Sequence, residues 1–219
     1  MTPERWRYTA AYLRETFGAQ DDHLAGLMAR AVAAGLPDIA VSADVGRLLM
    51  MLTSMTRGRF AVELGTLAGY SAIWIARGLR PGGRLVTVEP EARHADLAED
   101  ELARAGVADR VEVRRGAGLE VLEAMREECA PGSVDLLFLD AVKTEYPAYF
   151  RAGRDLIAPG GLLVADNVLG SSRWWIDMEG DPDREGADAL NRALAADADF
   201  EAVAFPLREG VLVARRNGV

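Results

Sequence analysis

Two short stretches of this chain carry oxygen donors in a pattern that can bind a cation. Phe138-Leu139-Asp140 ends one apolar run, and Val164-Ala165-Asp166-Asn167 ends another. If both runs are strands of one parallel sheet, two carboxylates and an amide meet at the same edge. Hard oxygen ligands, with few carboxylates and room for water, suit Mg²⁺ better than zinc. No His/Cys set competes. Cys129 is the lone cysteine, and His23 and His94 fall in predicted helices, where they are expected to face solvent or act as caps. Lys143 follows Asp140 by three residues and is the only lysine; the remaining cationic residues are all arginine. Arginine keeps its proton at working pH, whereas lysine can release one when desolvated or placed near positive charge. A site that must accept a proton can use this lysine and not an arginine.

A third stretch, Val62-Glu63-Leu64-Gly65-Thr66-Leu67-Ala68-Gly69-Tyr70-Ser71, reads as a strand, a glycine turn and a helix start. Glycine lets the backbone turn tightly and approach a ligand. Gly65 and Gly69 do not make the dinucleotide fingerprint, and the Gly-Lys-Ser/Thr of a phosphate loop is absent. The loop suits a nucleoside-like ligand with little anionic charge. The next strand ends Val86-Thr87-Val88-Glu89. An acid about twenty residues beyond such a loop can hydrogen-bond ribose hydroxyls, and Glu89 stands at that distance.

These residues need a frame. Up to about Met55 the apolar spacing is helical: Ala11, Leu13 and Phe17, then Leu24, Leu27, Met28 and Ala31. Ser42 and Asp44 are placed to open a third helix. From Phe60 the period shortens. Strand-like runs at Phe60–Leu64, Arg84–Val88, Val111–Val113, Val134–Leu139 and Leu162–Ala165 alternate with helical stretches at Ser71–Arg77, Ala92–Ala105, Leu119–Glu128 and Pro147–Ile157. This alternation predicts an α/β fold, a mostly parallel sheet of about seven strands with helices on both faces. Phe200–Pro206 and Gly210–Ala214, joined by Leu207-Arg208-Glu209, predict a C-terminal antiparallel hairpin.

Composition narrows the function. The chain has 219 residues, of which 50% are hydrophobic and 27% charged, a globular profile. A net charge of −9 argues against nucleic acid as a partner. No apolar run approaches a membrane span, and no secretory signal is read at the start. With a single cysteine, the reducing cytoplasm is the expected compartment.

The stretch Val-Glu-Leu-Gly-Thr-Leu-Ala-Gly-Tyr-Ser followed by Val-Thr-Val-Glu resembles the S-adenosylmethionine-binding segment of the cation-dependent O-methyltransferases, the catechol and caffeoyl-coenzyme A O-methyltransferase family. The resemblance runs from about Val41 to Arg215. It implies a Rossmann-like methyltransferase fold over residues 41–219, preceded by an N-terminal helical segment over 1–40. It further implies that Val41, Glu63, Gly65, Thr66, Leu67 and Ser71 surround the methionine part of the cofactor. Glu89 would hold the ribose, Ala117 would lie beside the adenine, and Asp140 would also reach the cofactor. Gly118 departs from relatives that carry a polar residue there. Asp140, Asp166 and Asn167 fall on the family's metal ligands, and Lys143 on its general base.

The expected chemistry is therefore Mg²⁺-assisted methylation of a hydroxyl on a small catechol-like or vicinal-diol acceptor. A sugar or macrolide hydroxyl is the alternative acceptor, and a non-catalytic cofactor-binding protein the alternative class. The segment between Asn167 and Arg184 reads as a long loop leaving the metal site, in which Trp174 and Trp175 suit either an acceptor cover or packing. Asn191, on the next helix, is expected to face the site. Trp6, Tyr8, Tyr12 and Phe17 suit a homodimer face or a substrate lid.

Overall fold

The computed structural model describes residues 3–170 and 179–218. Three helices lead the chain: α1 (Pro3–Phe17), α2 (Asp22–Ala33) and α3 (Ala43–Met55). Helix α2 starts where the Asp21 carboxylate accepts the Leu24 N–H at 2.9 Å, satisfying an amide that a helix N-terminus leaves free. Leu24, Leu27 and Ala31, three and four residues apart, are buried. That stripe seats α2 in the core.

The strands are β1 (Phe60–Leu64), β2 (Arg84–Glu89), β3 (Val111–Arg115), β4 (Val134–Leu139), β5 (Ile157–Ala165), β6 (Phe200–Phe205) and β7 (Val211–Arg216). The helices between them are α4 (Tyr70–Gly78), α5 (Ala92–Arg104), α6 (Gly118–Glu128), α7 (Tyr146–Gly153) and α8 (Pro182–Ala196). They form one sheet in the order β3-β2-β1-β4-β5-β7-β6. β1 to β5 run parallel, and β7 is antiparallel to both neighbours. The expected hairpin and parallel sheet are both present. The winding reverses between β1 and β4, which opens a crevice at their carboxyl ends.

Every residue of β1 and β4 is buried, as a sheet covered on both faces requires. Alternate side chains enter opposite cores. Ala61, Leu136 and Phe138 pack with Leu27, Leu49 and Ile73 on one face. Val62, Leu137 and Leu139 pack with Leu122, Phe150 and Leu190 on the other.

The largest boundary difference from the sequence reading lies between α7 and β5. The helix expected over Pro147–Ile157 ends at Gly153, and Ile157 already opens β5 by pairing with Val134. A Cβ on Gly153 would meet Leu137 Cδ2 at 2.6 Å, so this helix end presses directly on β4. The apolar Leu156-Ile157 continues the helical spacing by accident and belongs to the sheet. A register shift in β5 then absorbs Pro159-Gly160-Gly161.

Candidate functional site

The glycine turn after β1 exists because two strand ends come very close. Gly65 has φ +98°, and a Cβ there would stand 2.1 Å from the Asp140 carbonyl oxygen. Only glycine meets both conditions. The Asp140 N–H in turn donates to the Leu64 carbonyl at 2.9 Å, so the turn and the end of β4 are one unit. Leu67, also left-handed at φ +50°, donates its N–H to Glu89 Oε2 at 2.8 Å. The other Glu89 oxygen accepts the Glu91 N–H at 3.1 Å and lies 3.3 Å from His94 Nδ1. The acid at the tip of β2 is thus fixed in the crevice before any ligand arrives. His94 corrects the expectation of a solvent-facing or capping histidine: it points at Glu89 and lines the same cavity. His23 also turns inward, with Nε2 3.2 Å from Glu101 Oε2.

Glu63 lies beneath this turn and is fully buried. Its Oε2 accepts the Thr87 hydroxyl at 2.6 Å, and Thr87 shares a second hydrogen bond with Thr66. Burial pushes its carboxyl up to about 8, against the opposing hydroxyls of Ser71 and Thr87. Between its ordinary 4.5 and that value the folded chain holds a proton that the unfolded chain has released. Stability without ligand therefore falls as pH rises through this window. Glu63→Gln keeps the shape and removes the titration. Its melting temperature is expected to exceed the parent's at the alkaline end, by an amount worth a few kcal/mol, and to match it more closely at the acid end. Parallel profiles in ligand-free thermal melts would contradict this.

At the neighbouring tips, Asp166 is fully buried at the end of β5. Its Oδ1 has no hydrogen-bond partner, and Oδ2 lies 3.4 Å from Arg208 Nη1. Burial, and then the like charge of Asp140, push its carboxyl up to about 7, against Arg208 and Lys143. Asp140 Oδ1 meets Lys143 Nζ at 2.9 Å, with these side chains only 20% and 11% exposed. Asn167 follows in the left-handed region at φ +56°, which asparagine tolerates, and lines the cavity. Lys143 and Arg208 each face one of the two carboxylates, which leaves Asp166 Oδ1 as a buried acceptor with no donor of its own. Among the described residues no group of three His, Cys, Asp or Glu side chains is placed to hold a metal. The donor set is two carboxylates and an amide, all hard oxygen donors, and these fit Mg²⁺.

Tyr146 braces this corner and escaped the sequence reading. Its buried hydroxyl reaches the Leu139 and Asp166 carbonyls, each at 3.0 Å, tying β4 to β5 beside both acids. The turn that carries Lys143 is backed by α8, where a Cβ on Gly186 would stand 2.2 Å from the Lys143 carbonyl oxygen. Arg208, on the hairpin turn, was missed as well.

A cavity of ≈ 630 Å³ runs along these strand tips. Val41, Gly65, Thr66, Leu67, Ser71, Glu89, Asp140, Lys143 and Asn167 all line it. Glu63, Ala117 and Asp166 do not. Glu63 and Asp166 are buried behind the wall, and Ala117 caps α6 beyond β3. Asn191 does not face the cavity either; its Nδ2 donates to the Val168 carbonyl at 2.9 Å and props the chain leaving Asn167. Trp174 and Trp175 lie outside the described residues.

Comparison with known proteins shows the family of the chain. The family model described as O-methyltransferase matches residues 14–217. A catechol O-methyltransferase of Niastella koreensis is 37% identical over 191 residues, covering 87% of this chain and 86% of that protein. One from Mycobacterium tuberculosis is 44% identical over 159 residues, covering 73% and 70%. Among solved structures, the O-methyltransferase TomG of Streptomyces achromogenes, involved in tomaymycin synthesis and in complex with S-adenosylmethionine, superposes with a TM-score of 0.86 at 35% identity, covering 100% of both chains.

Proposed function

We infer that this chain, which belongs to the O-methyltransferase family, methylates one hydroxyl of a catechol-like acceptor with Mg²⁺ bound. It is an S-adenosylmethionine-dependent O-methyltransferase. The observation that carries the finer reading is the corner where Asp140, Asp166 and Lys143 meet, in a crevice whose other wall holds Glu89 ready for a ribose.

Val41, Gly65, Thr66, Leu67 and Ser71 would enclose the methionine part of the methyl donor, with Glu63 supporting the turn from below. Ala117 would lie beside the adenine. S-adenosylmethionine supplies an electrophilic methyl carbon on a sulfonium. Asp140, Asp166 and Asn167 would hold Mg²⁺, which would supply charge to stabilise the acceptor oxyanion. Lys143 Nζ, once it has released its own proton to solvent, takes the proton from the acceptor hydroxyl as a neutral amine, and Asp140 at 2.9 Å aims it. The rigid strand tips keep the acceptor oxygen aligned, and alignment lowers such barriers by up to several kcal/mol.

The net charge of −9 supports a small-molecule acceptor and not a nucleic acid. The lone cysteine supports a cytoplasmic setting. No helix among the described residues is long and apolar enough to cross a membrane. Tyr8, Tyr12 and Phe17, exposed along α1, support pairing of two copies through that helix.

A methyl-transfer assay over catechols, hydroxycinnamoyl esters and non-aromatic diols tests the reading. Catechol turnover is expected. Turnover of sugar diols alone would overturn the acceptor class, and binding of S-adenosylmethionine with no transfer to any acceptor would favour a non-catalytic binder.

A further inference from the structure

A second cavity, of ≈ 480 Å³, lies between α1 and the β6–β7 turn. Trp6, Ala10 and Leu13 give it apolar walls on one side and Leu207 on the other. Arg208 and Glu209 line both this cavity and the one along the strand tips. The two spaces therefore share a border at the arginine that reaches Asp166.

The charge of this cavity runs against the charge of the chain. Arg7 and Arg14, seven residues apart and hence on one face of α1, both line it. Neither guanidinium has an ion pair or hydrogen bond among the described residues. Of the acids present, Glu209 is already paired, with Oε2 2.7 Å from Arg208 Nε, and Asp44 stands in the first turn of α3, where helix amides favour negative charge. Ser42 Oγ and Asp44 Oδ1, on the same wall, are buried without a hydrogen-bond partner. Both can accept from a polar hydrogen of a bound molecule.

We propose that this cavity holds the body of the acceptor, and that Arg7 and Arg14 select one bearing a carboxylate remote from its hydroxyls. The substrate class is then a dihydroxylated aromatic acid and not a neutral catechol. This deepens the functional reading above and rests on it, because the diol must reach Asp140 and Lys143. A planar guanidinium matches a carboxylate through two parallel hydrogen bonds. Such selection shows as a ratio of kcat/KM between two acceptors.

The test uses a catechol with a propanoate side chain and the same catechol with a propanamide. The parent enzyme is expected to favour the acid about tenfold, the factor one charge-assisted hydrogen bond produces, with the difference in KM and not in kcat. In Arg7→Ala/Arg14→Ala the ratio is expected to fall to near one, with calorimetry of S-adenosylhomocysteine reporting an intact fold. Arg14→Glu is expected to shift preference toward a catechol bearing an aminoethyl chain. Equal turnover of acid and amide by the parent, or a preference that survives in the double variant, would overturn this proposal and leave the functional reading standing. Failure to methylate either diol would overturn both.

Discussion

Replacing Lys143 with arginine is expected to lower kcat by about 10²- to 10⁴-fold, the range that a positioned base contributes. The substitution keeps a cation beside Asp140 and so keeps most of the local field. What it removes is a group able to exchange a proton, since arginine stays charged at working pH. Lys143→Met removes both and is expected to lose at least as much. S-adenosylhomocysteine is expected to bind both variants, because Lys143 contacts Asp140 and the Tyr146 ring and not the glycine turn. Rapid-quench measurement of a single methyl transfer isolates the chemical step. A parental rate in Lys143→Arg would remove the lysine from the chemistry.

Asp166→Asn is expected to weaken divalent-ion binding by more than the ten- to hundredfold that losing an outer-sphere partner produces. The residue is fully buried, with one oxygen facing Arg208 and the other unpartnered and open to a ligand. Asparagine fills the same volume, and one of its two polar ends must face the space where that oxygen stood. A Mn²⁺ titration followed by paramagnetic resonance reads the change without any turnover. Equal affinity in parent and variant would take Asp166 out of the metal set.

Much of this site can be read along the chain, because local features determine it. Gly65 and Gly69 punctuate the end of β1, Glu89 ends β2, and Asp140 and Asp166 end runs whose apolar continuity marks buried strands. Strand tips of a parallel sheet share one edge, so sequence order alone brings these acids together. The parts that escaped depend on tertiary contact. Arg208 reaches Asp166 from a hairpin turn 42 positions away, and no spacing rule links the two. Tyr146 stands just before the helix expected from Pro147, yet its hydroxyl spans the ends of two strands. His94 sits in the first turns of α5, and only the angle at which that helix leaves β2 turns it toward Glu89. Glu63 occupies the alternate face of β1, so the residue between two core positions lies under the turn and not in the cavity.

A divalent ion gathered by Asp140, Asp166 and Asn167 is central to the proposed chemistry. Methyl transfer to a catechol, followed in Mg²⁺, then in excess chelator, then with Mg²⁺ restored, tests it most directly. Turnover is expected to fall to background with chelator and to return with the ion. Undiminished turnover in chelator would contradict the account.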